Sequence, residues 1–210
     1  MDRKEYNKTR ILEAAKELFY RFGYSRVTMD DIANHLGMSK KTLYKYFSGK
    51  NEIMRNIVDQ IKAEVSGGVE ELVSSEELEY PVKLKRMLKF VAVKLSRLSN
   101  LFLEDVQKNF PDLWNEFNEY KNEAAFQRFK RLIEEGKKKA KINPDINHYM
   151  IIVLYASAVQ NLLDPRFLKQ IPTEILDGLP DSPGEIFDNM INIIYEGILT
   201  DETKEQFKKS

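Results

Sequence analysis

The chain has 210 residues, 42% hydrophobic, 31% charged and 11% aromatic, which suits one or two domains with a buried core. Its 33 Lys+Arg balance 33 Asp+Glu, with no cysteine and only two histidines, His35 and His148. This excludes a uniformly basic coat protein, thiol chemistry, a disulfide-built secreted domain and a histidine-rich metal centre, and no metal or cofactor is expected. Met1–Arg10 is polar and lacks a signal-peptide core, and the longest apolar run, Met150–Ala156, falls far short of the roughly 20 residues that cross a bilayer. The expectation is a cytoplasmic protein without a membrane partner.

The balance of charge is uneven along the chain. Residues 1–62 carry 13 Lys+Arg against 8 Asp+Glu, which leaves 20 against 25 for the rest. A basic N-terminal module beside an acidic body is the pattern of a polyanion-binding head.

Apolar residues recur at helical spacing throughout, and period-two alternation is absent, so the fold class is all-α with about nine helices. Ile11, Ala14, Ala15, Leu18, Phe19 and Phe22 form the first stripe, ended by Gly23. Met29, Ile32, Ala33 and Leu36 form the second, ended by Gly37, and Leu43 and Phe47 a short third. Ile53, Met54, Ile57, Val58 and Ile61 mark a connecting helix over about 49–65, and residues 66–80 read as a loop or a frayed helix end. A helix opens at Pro81 and runs to about Ser99, with Leu84, Met87, Leu88, Val91, Leu95 and Leu98 on its apolar face. Its other side is basic, with Lys83, Lys85, Arg86, Lys89, Lys94 and Arg97, and reads as a solvated face that an anion would suit less well. A short helix over 101–108 precedes a long one from Pro111 to Lys138 that is apolar on two sides, as a helix packed between neighbours is. After the break at Asn143-Pro144-Asp145, helices over about 145–163 and 183–199 complete the body, separated by a long loop, and 200–210 reads as a fraying tail.

The segment from Thr28 to Lys50 carries the chemistry. Thr28 is an N-cap with Asp31 three residues on, and Val27 and Ile32 are placed to form a hydrophobic staple. Ser39 repeats the device, with Met38 and Leu43 as its staple pair. Gly37 supplies the turn between two short helices, which is the helix-turn-helix arrangement. On the second helix Leu43 and Phe47 point inward, so Lys40, Lys41, Thr42, Tyr44, Lys45 and Tyr46 cover the remaining surface. Three lysines with hydroxyl-bearing neighbours suit phosphates and base edges in a major groove. No nucleophile elbow, phosphate loop, metalloprotease motif or dinucleotide fingerprint is present, so an enzyme is not expected.

These residues resemble the TetR family of bacterial transcriptional regulators. The resemblance lies in Arg10-Ile11-Leu12, Ala14-Ala15, Leu18-Phe19, Phe22-Gly23-Tyr24, Thr28, Ile32-Ala33, Gly37, Ser39, Thr42-Leu43-Tyr44, Tyr46-Phe47 and Lys50. It implies a helix-turn-helix DNA-binding domain at 1–50 and an effector-binding and dimerisation domain at 66–210. It further implies a homodimeric repressor, released from a near-palindromic double-stranded DNA operator by a small, mostly apolar effector. The alternative is a DNA-binding regulator controlled by a protein partner, or without an effector, or acting as an activator. By the resemblance Thr28, Ser39, Lys40, Lys41, Thr42, Tyr44, Lys45, Tyr46 and Lys50 contact DNA, Lys50 by holding a phosphate. Gly49 stands where the family often has serine or asparagine. The resemblance places an effector pocket among Phe90, Leu103, Val106, Trp114, Phe117, Tyr120 and Tyr155. It places the dimer interface on the last two helices, with Phe187, Met190, Ile191, Ile194, Tyr195 and Ile198 on the final one. His35 matches no functional position and reads as a helix C-terminal residue.

Overall fold

The structure is a computed structural model. It describes residues 2–162, 164–180 and 183–209; the side chains at 95, 96, 125, 162, 183, 191, 194–198 and 206–209 lie outside that description. Among the described residues the fold is all-α. The helices are α1 (Arg3–Phe22), α2 (Met29–His35), α3 (Lys40–Tyr44), α4 (Lys50–Ser74), α5 (Tyr80–Ser96), α6 (Asn100–Asn109), α7 (Pro111–Lys138), α8 (His148–Leu162), α9 (Pro165–Leu168), α10 (Thr173–Leu176), α11 (Pro183–Ile198) and α12 (Asp201–Lys209). None is long and apolar enough to cross a membrane. The chain forms two compact units, one of Met1–Ala63 with Ser99–Phe117, the other of Glu64–Leu98 with Asn118–Ser210.

In the first unit α1 packs on α2 and α6, and α2 on α3. Its core holds Ile11, Ala15, Phe19, Ile32, Leu43, Phe47, Ile53 and Ile57, all essentially inaccessible. Tyr24 joins α6 to this core, its N–H donating to Asp105 Oδ2 at 2.6 Å and its ring meeting Phe110 edge-on at 4.8 Å. α6 starts at a cap, Ser99, which accepts from the Phe102 N–H at 3.1 Å.

In the second unit α11 packs on α5 and α8, and α12 on α5. Tyr155 is the hub: Phe129 stacks on it at 3.9 Å and Phe187 meets it edge-on at 5.8 Å. Leu95, expected on the apolar face of α5, has its side chain outside the description, as residue 163 is altogether.

Four sequence expectations change. α4 does not stop near 65 but runs through the supposed loop to Ser74, because Val69 and Val73 extend its buried face. Gly68 does not break it: a Cβ there would lie 2.2 Å from the Phe90 ring, so the glycine is what lets α5 come close. The two apolar sides of α7 serve the two units in turn, Leu113, Trp114 and Phe117 in the first, Phe129, Leu132 and Ile133 in the second. The loop between α8 and α11 contains α9 and α10. The tail is α12, opened by Thr200, whose hydroxyl accepts from the Thr203 N–H at 3.3 Å.

Candidate nucleic-acid interface

α2 and α3 have seven and five residues, too few to persist alone. Caps and shared core hold them. The Thr28 hydroxyl accepts from the Asp31 N–H at 3.1 Å, while Asp31 Oδ2 accepts from the Thr28 N–H at 2.8 Å and the Thr28 hydroxyl at 2.7 Å. These bonds hold the Asp31 carboxyl below its ordinary pKa. Val27 and Ile32, the staple pair, are both buried. Ser39 accepts from the Thr42 N–H at 3.1 Å, and the two hydroxyls are 2.8 Å apart. Gly37 joins the helices at φ +65°, a conformation that costs other residues a clash at Cβ.

Burial of Leu43 and Phe47 fixes which face of α3 turns outward. Lys41, Tyr44 and Lys45 are exposed there, as are Thr28, Ser39 and Lys40; Thr42 and Tyr46 are half-buried. Lys40 is not a bare cation: its Nζ donates to Asp30 Oδ2 at 2.8 Å, which raises its pKa. The exposed pair adds little stability, and Lys40 must exchange Asp30 for any phosphate. Tyr46 is set by α1, its hydroxyl accepting from Asn7 Nδ2 at 2.8 Å. Asp30 and Asn7 escaped sequence reasoning because nothing local links residues ten and 39 positions apart. His35 ends α2, with its Nε2 3.6 Å from Glu17.

Lys50, expected to hold a phosphate, is also engaged within its own unit. Its ammonium donates to the Tyr24 carbonyl at 2.8 Å and the Val27 carbonyl at 2.9 Å, and lies 4.0 Å from the centre of the Tyr24 ring. Partial burial lowers its pKa. Two of its three protons are thus spent fastening α4 to the segment before α2. The weak cap at Gly49 is made good nearby: Glu52 Oε2 accepts from the Ser48 N–H at 2.7 Å and the Ser48 hydroxyl at 2.8 Å.

The family model of bacterial regulatory proteins, tetR family, matches residues 11–57, a span that holds both caps, the Gly37 turn and Lys50. Over that span the chain is similar to the TetR family. It is a DNA-binding transcriptional regulator. The chain is 29% identical over 195 residues to the uncharacterized HTH-type transcriptional regulator YvaF of Bacillus subtilis (strain 168), covering 92% of this chain and 96% of that relative. The SmeT–triclosan complex superposes with a TM-score of 0.65 at 17% identity over 93% of each chain. SmeT, the repressor of the Stenotrophomonas maltophilia multidrug efflux pump SmeDEF, superposes at 0.63 with 16% identity, over 93% of this chain and 92% of that one. At these identities the two structures share the fold.

The remaining candidate residues distribute as follows. Leu103, Val106, Trp114 and Phe117 belong to the first unit and are buried; Phe90, Tyr120 and Tyr155 belong to the second, with only Tyr155 fully enclosed. On α11, Phe187 is inaccessible against Tyr155. It is core of its own unit and not a surface, which corrects its assignment to the interface. Met190 is half-buried, and the side chains of Ile191, Ile194, Tyr195 and Ile198 lie outside the described residues. The exposed apolar positions are others: Tyr149, Met150, Val153 and Leu154 on α8, and Ile193 on α11, which is 75% exposed.

Proposed function

We propose that the chain is a cytoplasmic, dimeric repressor, with no enzymatic activity. α3 of each copy enters a major groove of a near-palindromic operator, and a small, mostly apolar effector releases the DNA. The observation that carries the DNA reading is the capped α2–Gly37–α3 unit, which buries Leu43 and Phe47 and turns Lys41, Tyr44 and Lys45 outward. Thr28, Ser39, Thr42 and Tyr46 stand beside them for backbone and base-edge contacts. The exposed apolar residues of α8 and α11 support a two-fold interface built on those helices. SmeT, a repressor that has been crystallised with triclosan, supports repression and effector control.

Release follows from linkage. Two recognition helices meet successive major grooves when they stand about 34–36 Å apart. An effector weakens binding by preferring the conformation in which that spacing is lost, and only by its difference in affinity for the two states.

The test is fluorescence anisotropy with duplex DNA from upstream of the protein's own gene, against a scrambled duplex, at two salt concentrations. The expected result is specific binding in the range of about 10⁻⁸–10⁻¹¹ M, with a salt slope that falls by roughly one in Lys41→Ala. Lys41→Ala, Tyr44→Ala and Tyr46→Ala variants that bind the operator as tightly as the parent would refute the recognition-helix assignment. Operator release only by a second protein would establish the partner-controlled alternative.

A further inference from the structure

Asn7 stands where α1 alone gives no reason for it. It lies in the second turn of the helix, and asparagine is a weak helix former because its side chain competes for nearby backbone groups. It precedes Ile11 by four positions, so it shares the face on which Ile11, Ala14, Ala15 and Leu18 are buried. A leucine there would lengthen the apolar stripe by a turn. Asparagine instead supplies a donor: its Nδ2 reaches the Tyr46 hydroxyl at 2.8 Å, in a half-buried bond across 39 positions.

The direction of that bond matters. The amide NH₂ only donates, so the phenol oxygen accepts and its own proton must go elsewhere. Among the described residues Asn7 is the only hydrogen-bond partner of the Tyr46 side chain. The other end of the side chain is fixed as well: the Tyr46 N–H donates to the Leu43 carbonyl at 3.0 Å, and Phe47 beside it is buried. Tyr44 differs, being exposed and without a hydrogen bond to its hydroxyl among the described residues. A hydroxyl that accepts is also polarised into a better donor. Tyr46 follows the last residue of α3, Tyr44, by two positions. A recognition helix meets base edges with its N-terminal residues, so a hydroxyl past the C-terminal end is left for the backbone of the duplex.

We propose that Asn7 is a positioning residue for DNA binding, which holds the Tyr46 phenol so that its hydroxyl proton is delivered to a phosphate oxygen. This rests on the DNA reading above and adds to it a residue outside the α2–Gly37–α3 unit. Asn7 acts through Tyr46 and requires no contact of its own with DNA. A side chain already held loses less freedom when it binds, and a bond to an ionised phosphate belongs to the stronger class. Phosphate contacts carry no sequence information, so the contribution is the same on any duplex.

The experiment is a double-mutant cycle on the full chain: Asn7→Ala, Tyr46→Phe and the two together. Anisotropy is read at low salt on a labelled duplex from upstream of the protein's own gene and on a scrambled one. Each single change is expected to lower affinity about three- to tenfold on both duplexes, and the double change no more than the larger single one. Thermal melting by circular dichroism is the control. Asn7→Ala should melt close to the parent, because the better helix former offsets the lost bond. Asn7→Leu keeps the volume, removes the donor and should weaken binding as Asn7→Ala does. Unchanged affinity in Asn7→Ala, additive losses in the cycle, a loss confined to the upstream duplex, or a loss that only tracks a lowered melting temperature overturns the proposal. A parent that binds neither duplex breaks the DNA reading and the proposal together; a parent that binds while the losses are additive breaks the proposal alone.

Discussion

The first unit depends on helices of five and seven residues, each begun by its own side-chain cap and anchored by one buried residue in α3 and three in α2. The second depends on α5, α8 and α11, helices of 15 to 17 residues that hold one another by packing. It also encloses charge: Lys83 and Lys121 are each only 5% exposed. The difference teaches where each unit is vulnerable. The head is sensitive to the few buried anchors and caps that hold its short helices, and the body to close packing and ionisation in its interior. Trp114, the sole tryptophan, lies in the first unit, so its fluorescence reports the head while far-ultraviolet circular dichroism reports both.

The largest effect expected is that of Leu43→Ala, which empties the space under α3 and should cost about 2–5 kcal/mol, read as an early denaturant transition in tryptophan fluorescence. An unshifted fluorescence transition would break the claim that α3 depends on this anchor. Next is Lys121. Burial lowers its pKa to about 8 from an ordinary 10.5, so between those values the unfolded chain holds the proton that the folded chain has released. Stability should therefore rise with pH from about 8 to 10, by an amount on the order of 3 kcal/mol for the full shift. Above pH 10 the buried phenols of Tyr80 and Tyr155, whose pKa values are raised, pull the other way. Lys121→Met should abolish the rise in urea titrations followed by circular dichroism.

Two neighbouring glycines sharpen the comparison within one helix. Gly68→Ala should destabilise by about 1–3 kcal/mol, since its Cβ meets the Phe90 ring. Gly67 has open space around it, and Gly67→Ala should stabilise by roughly 0.5–1 kcal/mol. Equal effects of the pair would show that packing against Phe90 does not decide the position. Smallest is Thr28→Ala, which removes one cap and should cost about 1 kcal/mol. Its transition should shift in tryptophan fluorescence.

Legibility followed the range of the interactions. Thr28, Asp31, Gly37 and Ser39 act within four residues of themselves, so the helix-turn-helix could be read from spacing alone. Lys50 could not, because its partners are carbonyls 23 and 26 positions away. The continuation of α4 through Gly67 and Gly68 was hidden for the same reason: composition there argues for a loop, and only Phe90 explains the glycine. Phe187 and Met190 share the apolar stripe of α11, yet one is inaccessible and the other half-buried. A stripe gives the face of a helix and not what covers it.

The five residues of α3 have a consequence for affinity. A helix this short exists only while the rest of its unit is folded, so DNA binding and head stability are one equilibrium read from two ends. Each loss of stability that makes the unfolded head appreciable multiplies the apparent operator affinity by the competent fraction. On the two-fold operator proposed above both heads must be competent at once, so the penalty would enter squared. Temperature alone can then loosen the grip on DNA without any effector, at a threshold set by Leu43, Phe47 and the Thr28 cap.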